Sequence, residues 1–382
     1  MSPEYPENTR ILLRLDLNVP LQGTTVTDTT RARLIAPTVR ALRQRGNLCT
    51  LIAHLGRPKQ REEALSLRLL VPILEAILEE PVAFVPDVLA GEAPSHAGCV
   101  LLENLRFYPG EEANTESFAK DLARWGDFYM NEAFSVSHRA HASIVGVPAL
   151  LPHAAGPLFL SELTALRHVT EHLIPPVLAI VGGGKISTKL GVLRNLLKVV
   201  STLAVGGGLA NTLLAAQGLF VGTSLQEPTQ HQEAKKLLEA AHQQGCTLLL
   251  PKDVRVRTAS GEVLLCSVEE VPEDAAILDI GPETAQRLEQ EIAQAGTVLW
   301  NGPLGRFEES PFHQATERIF RAIAAETQRR SLVSVVGGGD SVAALNVAAM
   351  DFASFHTVST SGGAFLEFLE GKELPGVQSL GL

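Results

Sequence analysis

Aromatic residues are scarce in this chain of 382, at 5% of the total, while hydrophobic residues overall reach 45%. That balance excludes an aromatic-rich core and fits an α/β protein packed with Val, Leu, Ile and Ala. Positive charge is not in excess either. The net charge of −10 argues against general nucleic-acid or membrane binding, so any basic cluster has to be local. No apolar run reaches membrane-spanning length, and the start of the chain lacks the charged-then-apolar pattern of a signal segment. The expectation is a cytoplasmic protein. Cysteine is sparse: Cys49, Cys99, Cys246 and Cys266 lie in apolar, strand-like runs without C-x-x-C spacing. Buried structural thiols in a reducing cytosol are expected, not disulfides or a zinc site.

The length suggests two or three domains. The first half alternates strand-like runs (Ile11–Asp16, Leu48–Ala53, Val82–Val85, Val100–Glu103, Phe128–Asn131) with helical patterns near Arg31–Arg45, Leu65–Glu79 and Thr115–Arg124. A helical pattern at Leu158–His172 leads to Pro175-Pro176, the clearest boundary. A second series then begins, with strands at Val177–Val181, Thr202–Val205, Thr247–Leu250, Thr297–Trp300, Leu332–Val336 and His356–Ser359. The runs Glu262–Val268 and Ala276–Ile280 look like a β insertion. Strands alternating with helices imply parallel sheets covered on both faces. The expected fold class is α/β, with two doubly wound parallel-sheet domains joined by a hinge helix. Their bounds are 1–160 and 177–368, with residues 161–176 between them.

The second half carries a recurrent device. Gly182-Gly183-Gly184, Gly206-Gly207-Gly208, Gly337-Gly338-Gly339 and Gly362-Gly363 each follow a strand. Parallel strands share one C-terminal edge, so these turns should meet at one crevice. Unpartnered N–H groups at a helix start attract anions. Asp340, beside such a start, makes electrostatic sense next to phosphate if a divalent cation such as Mg²⁺ lies between. A strand–Gly–Gly–helix junction is also an ordinary connection. Lys185 and Lys189 follow the first triplet and, read as helix, share one face, which suits charge on a transferring phosphoryl group. Neither a P-loop nor G-x-G-x-x-G is present: Ala179 stands at the P-loop's first glycine, and Ser187, Asn211 and Val342 close the other pattern.

The first half ends its strands differently, with Asp16-Leu-Asn18, His54-Leu-Gly-Arg57, Asn104-Leu-Arg106 and Ser135-Val-Ser-His138-Arg139-Ala-His141. Arg31 opens the first helix. Arg31, Arg57, Arg106, Arg139 and His54 should therefore share one edge, a set suited to a small polyanion. Gly339-Asp340-Ser341-Val342-Ala343 also looks like a hydrolase elbow but lacks its last glycine, and Asp351 and His356 would have to serve as its acid and base. His138-x-x-His141 lacks a further ligand of metal-site spacing, which favours packed or phosphate-facing histidines.

With both edges assembled, the chain resembles the phosphoglycerate kinase family over nearly its whole length. The matching stretches are Arg14-Leu-Asp-Leu-Asn-Val-Pro20, His54-Leu-Gly-Arg-Pro-Lys59, Leu102-Glu-Asn-Leu-Arg-Phe107, His138-Arg-Ala-His141 and Gly182–Lys189. Leu278-Asp-Ile-Gly-Pro282, Trp300-Asn-Gly-Pro303, Gly337–Ser341 and Phe365-Leu-Glu-Phe-Leu-Glu-Gly371 follow in the family's order. The wording is most similar to the bacterial branch.

The resemblance implies reversible phosphoryl transfer from 1,3-bisphosphoglycerate to Mg-ADP, giving 3-phosphoglycerate and ATP in a monomer that closes about a hinge. It implies that Asp16, Leu17, Asn18, Arg31, His54, Leu55, Gly56, Arg57, Arg106 and Arg139 hold the glycerate substrate. Arg31, Lys185 and Lys189 would be catalytic. Lys189, Gly207, Gly208, Gly281, Asn301, Glu308, Gly337, Gly338, Gly339, Asp340 and Ser341 would bind nucleotide, with Asp340 as the Mg²⁺ ligand. The tail from about Leu369 would return to the first domain.

Several positions depart from the family's wording. Ser135-Val136-Ser137 replaces Gly-Thr-Ala, Ser341 replaces Thr, and Ser361 replaces the first of three glycines. Arg306 replaces an apolar residue, and Thr188 an Asp found in many members. None removes a charged group of the implied machinery. The competing expectation is a relative altered in catalysis and retained for binding a partner.

Overall fold

The computed structural model describes residues 6–90, 98–171, 173–330, 332–359, 361–369 and 371–382. The chain divides into two compact units, residues 1–164 with 373–382, and residues 165–372.

Six strands make the first unit's sheet: β1 (Arg10–Arg14), β2 (Leu48–Ile52), β3 (Val82–Val85), β4 (Cys99–Leu102), β5 (Phe128–Asn131) and β6 (His153–Ala155). Their order is β3-β4-β2-β1-β5-β6, and every neighbouring pair is parallel. Ile11, Leu12 and Leu13 are all fully buried, as a strand covered on both faces requires. The helix α1 (Thr30–Gln44) crosses from β1 to β2, its buried stripe Ile35, Val39 and Leu42 lying on the core that holds Leu51, Leu101 and Met130. The helix expected near Leu65–Glu79 is instead two single 3₁₀ turns before an α-helix at Val71–Leu78. Buried Glu103 explains the break: it accepts from Leu67 N–H at 2.9 Å and from Ser66 Oγ at 2.8 Å, and Pro72 then starts the α-helix. The sequence pattern did not reveal β6 or the hairpin pairing Leu21–Gln22 with Thr25–Val26. Runs of two or three residues are too short to show a period.

Glu132, 2% exposed, accepts from Thr38 Oγ1 and, at 3.1 Å, from Phe159 N–H at the start of α2 (Pro157–Glu171). The division between the units falls inside α2. His172, the expected last residue of that helix, lies outside the described residues. At the C-terminus, Gly376 N–H donates to Ser137 O at 2.8 Å and Ser379 Oγ to Ile144 O at 2.9 Å, while Leu374, Val377 and Leu380 are buried.

In the second unit the strands are β7 (Val177–Val181), β8 (Thr202–Val205), β9 (Thr247–Leu249), β10 (Asp253–Arg257), β11 (Val263–Ser267), β12 (Ala276–Ile280), β13 (Thr297–Asn301), β14 (Val333–Gly337) and β15 (Thr357–Ser359). The parallel sheet runs β9-β8-β7-β13-β14-β15. An antiparallel sheet β11-β10-β12 forms the insertion, with β10 as a strand not anticipated beside the two expected runs. Trp300 stacks on Phe320, with centroids 4.0 Å apart, in a core that includes Ile180, Val298, Val336 and Leu345. All four cysteines are free thiols; Cys49, Cys99 and Cys246 are buried as expected, whereas Cys266 on β11 is only half-buried. It packs at the margin of the cluster that holds Val254 and Val256.

Asp279 on β12 is 2% exposed and accepts from Ile280 N–H at 3.0 Å and Ala315 N–H at 3.1 Å. Burial nevertheless pushes its pKa up to about 7, from an ordinary 3.8. The folded state therefore holds this proton more tightly than the unfolded chain. The associated stability is complete below the ordinary pKa and is lost as pH rises through about 7. Asp279→Asn should shrink the difference in melting temperature between about pH 5 and pH 8. Calorimetry showing an unchanged difference would count against this assignment.

Candidate functional site

Both parallel sheets reverse their strand order once, and polar residues collect at the C-terminal ends beside each reversal. In the first unit the reversal lies between β1 and β5, where Arg14 pairs in register with Asn131. Asp16, just beyond β1, accepts from Asn18 N–H at 3.1 Å, from Ser135 Oγ at 2.5 Å and from Arg31 Nη1. Asn18 in turn accepts through Oδ1 from Gly56 N–H at 2.8 Å, tying this loop to the one after β2. Leu17 and Leu55 are buried beneath these loops, a packing position for both side chains.

Arg106 donates through Nη1 to Gly56 O, and its Nε stands 3.5 Å from Glu112 Oε1. Burial, with Arg139 close by, lowers its pKa to about 10. Arg57 is exposed and Arg139 half-exposed; neither side chain makes a hydrogen bond or ion pair among the described residues. His54 is 4% exposed, and burial with Arg14, Arg106 and Arg31 nearby holds its pKa well below the ordinary value, so it is neutral. Burial and Arg139 likewise bring His138 and His141 down to about 4. Burial first, and the surrounding guanidinium groups second, keep these imidazoles neutral at pH 7. His138 Nδ1 and Ser137 Oγ are buried without a hydrogen-bond partner among the described residues. The edge is thus a concentration of positive charge and unmet polar atoms.

Arg14 belongs to this edge, although the sequence reading gave it no role. It is 1% exposed, donates through Nε to Ser143 Oγ at 3.0 Å, lies 3.2 Å from His54 Nδ1 through Nη2, and reaches Leu15 O through Nη1. Contact with Arg14 Nη2 makes His54 Nδ1 the acceptor and leaves the proton on Nε2. Ser143 Oγ and N–H also donate to buried Glu111, at 2.6 and 3.0 Å, which anchors the group from behind. An arginine inside a fully buried apolar strand was the available signal.

In the second unit the reversal lies between β7 and β13. Lys189 bridges it, its Nζ 2.6 Å from both Gly182 O and Asn301 Oδ1. Burial lowers its pKa to about 8, partly opposed by Asp340. Lys185 and Lys189 do not share a helical face. Lys185 is extended and exposed, a single 3₁₀ turn covers Ile186–Thr188, and the α-helix begins only at Leu190. Local side chains win here: Thr188 Oγ1 donates to Lys185 O at 2.8 Å, and Glu227 takes Ser187 N–H at 2.9 Å.

The glycine turns pack on one another. A Cβ at Gly208 would lie 2.2 Å from Gly184 O. The helix α3 (Gly207–Ala216) gives Gly207 N–H to Leu304 O and Leu209 N–H to Gly183 O, so those donors are spent on protein. Gly281 precedes α4 (Pro282–Gln294), whose first N–H groups at Glu283 and Thr284 go to Asp253 at 2.9 and 2.8 Å. The N–H groups of Gly207, Leu209, Glu283 and Thr284 are thus already met by protein oxygens.

The start of α5 (Gly339–Val347) differs. Its cap, Gly338, takes φ +103°, a conformation that favours glycine. The first intrahelical bond is Val342 N–H to Gly338 O, which leaves the N–H groups of Gly339, Asp340 and Ser341 ahead of it. The Ser341 side chain is fully buried, accepting from Gly302 N–H at 2.7 Å and donating to Gly337 O at 2.8 Å. Its hydroxyl is thereby engaged with the protein backbone. Asn301 Nδ2 donates to Gly337 O at 2.8 Å, joining the two strand ends. Asp340 and Glu308 are exposed; Ser361 is fully buried. Arg306 pairs with Glu309 at 3.3 Å. No group of three or more His, Cys, Asp or Glu among the described residues could hold a metal unaided.

The phosphoglycerate kinase family model matches residues 5–372. A phosphoglycerate kinase of Dinoroseobacter shibae is 49% identical over 376 residues, covering 97% of this chain and 95% of that protein. One from Methylorubrum populi is 48% identical with the same coverage. Among solved structures, phosphoglycerate kinase from Coxiella burnetii superposes with a TM-score of 0.84 at 38% identity, over 98% of this chain and 96% of that one. The Pyrococcus horikoshii enzyme gives 0.83 at 27%, with the same coverage. This chain belongs to the phosphoglycerate kinase family.

Proposed function

We propose that this protein catalyses reversible phosphoryl transfer between 1,3-bisphosphoglycerate and ADP, forming 3-phosphoglycerate and ATP. The observation that carries the reading is the arginine edge: Arg14, Arg31, Arg57, Arg106 and Arg139 depress the pKa values of the groups around them, which calls for an anionic ligand. Asp16, Asn18, Arg31, His54, Gly56, Arg57, Arg106 and Arg139 hold the glycerate and its non-transferring phosphate. Neutral His54 donates through Nε2. Leu17 and Leu55 support the loops.

Lys189 and the α5 start take the nucleotide phosphates, with Lys185 reaching the group in transit. Gly207, Gly208, Gly281, Asn301 and Glu308 flank the nucleoside. Asp340 is a lone exposed carboxylate beside free N–H donors, which suits a hard cation completing its shell with phosphate oxygens and water. Mg²⁺ bound there would neutralise phosphate charge. An acyl phosphate is already activated, so positioning and charge stabilisation by Arg31 and Lys189 suffice without a covalent intermediate. Transfer requires the two ligands to meet, so the proposal includes a hinge movement about α2 that excludes water. The proposed setting is the cytoplasm, as a monomer; four free thiols suit it. The partner-binding alternative is not favoured, since every charged group named above is present.

A coupled assay should show ATP formed from 1,3-bisphosphoglycerate and Mg-ADP; a folded protein without that activity would refute the proposal. Arg31→Ala should lower turnover on the order of 10²-fold or more, because the lost cation faces developing charge. A change confined to KM would make Arg31 a binding residue only.

A further inference from the structure

Ser135 stands where the family's wording has glycine, and its hydroxyl donates to Asp16 Oδ2 at 2.5 Å. Asp16 Oδ2 is also the oxygen that meets Arg31 Nη1. Asp16 Oδ1 is held separately by Asn18 N–H. Donors from three segments therefore fix this one carboxylate: its own loop, helix α1 and the turn after β5.

That turn is itself well fixed. Asn131 Oδ1 accepts from Ala133 N–H at 2.8 Å, and Ser137 N–H donates to Phe134 O at 2.9 Å, closing the single 3₁₀ turn Phe134–Val136. Because β1 and β5 are neighbours at the strand-order reversal, the serine meets Asp16 across the sheet's C-terminal edge. The carboxylate side chain is 12% exposed, so water competes little for Oδ2, and a hydroxyl bond to a carboxylate is among the stronger kinds. Glycine at this position would leave Oδ2 without that donor and the carboxylate freer to turn, carrying Arg31 with it.

We propose that Ser135 is a positioning residue for phosphoryl transfer, locking the Asp16 carboxylate and through it the direction of the Arg31 guanidinium. It acts without touching substrate. The inference rests on the proposed reaction.

The test compares Ser135→Ala, Ser135→Gly and Ser135→Thr, each in the unaltered protein and with Asp16→Asn, measuring kcat, KM for 3-phosphoglycerate and melting temperature. Loss of one charge-assisted bond should lower kcat about 5- to 10-fold in the Ala and Gly variants, with KM within about twofold. Ser135→Thr, which keeps the hydroxyl, should restore most of kcat. In the Asp16→Asn background, Ser135→Ala should have little further effect. Unchanged kcat in both the Ala and Gly variants, a loss carried by KM, or an equal loss beside Asp16→Asn overturns the assignment. An inactive unaltered protein would strike the proposed reaction itself, whereas these outcomes strike Ser135 alone.

Discussion

Parallel strands all end on the same edge of their sheet, and the rest of this molecule depends on that constraint. Each sheet reverses its strand order once, leaving a place where neighbouring strand ends are not covered by a connecting helix. A side-chain bridge crosses each reversal. In the first unit Ser135 and Asp16 join the ends of β5 and β1. In the second, Lys189 joins the ends of β7 and β13 through Gly182 O and Asn301 Oδ1. The first is built around a carboxylate among cations, the second around a cation among carbonyls. Both hold a charge where a ligand's charge has to be met.

Holding charge in that way is costly unless each group is satisfied. Arg14 is nearly inaccessible, and its guanidinium is met by Leu15 O and Ser143 Oγ, with Glu111 behind Ser143. The histidines take the opposite course and give up their protons, since burial and the surrounding guanidinium groups both favour neutral imidazole. Lys189 lies between these cases, its pKa brought towards neutrality by burial, with Asp340 opposing. The site is therefore polarised before any ligand arrives. A phosphorylated ligand relieves that polarisation.

Much of this organisation was legible in residue order. The strand runs were readable because strands buried on both faces are apolar throughout, and the glycine turns because they recur after strands. The motif order from Arg14 to Gly371 then pointed to the family. What failed to show was local. The Lys185–Lys189 spacing reads as helix, yet Thr188 and Glu227 hold the segment in a 3₁₀ turn. Glycine turns look alike in sequence, but the Gly207 and Leu209 N–H groups after one are met by Leu304 O and Gly183 O, whereas those of Gly339 and Asp340 after another stand ahead of the first intrahelical bond. Competing partners, some three residues away and others 40, decide such cases, and periodicity carries no trace of them.

The sequence by itself determined the α/β class, the strand edges and the placement of arginines on one edge and glycines on the other. Those follow from hydrophobic period and from the shared direction of parallel strands, both local properties. Only the tertiary structure decided that Ser341 turns its hydroxyl inward to Gly302 and Gly337, that Arg14 is the buried member of the cationic edge, and that Ser135 reaches Asp16. Each of these depends on which strands become neighbours, because a hydrogen bond between residues 119 positions apart exists only after the sheet has brought them together.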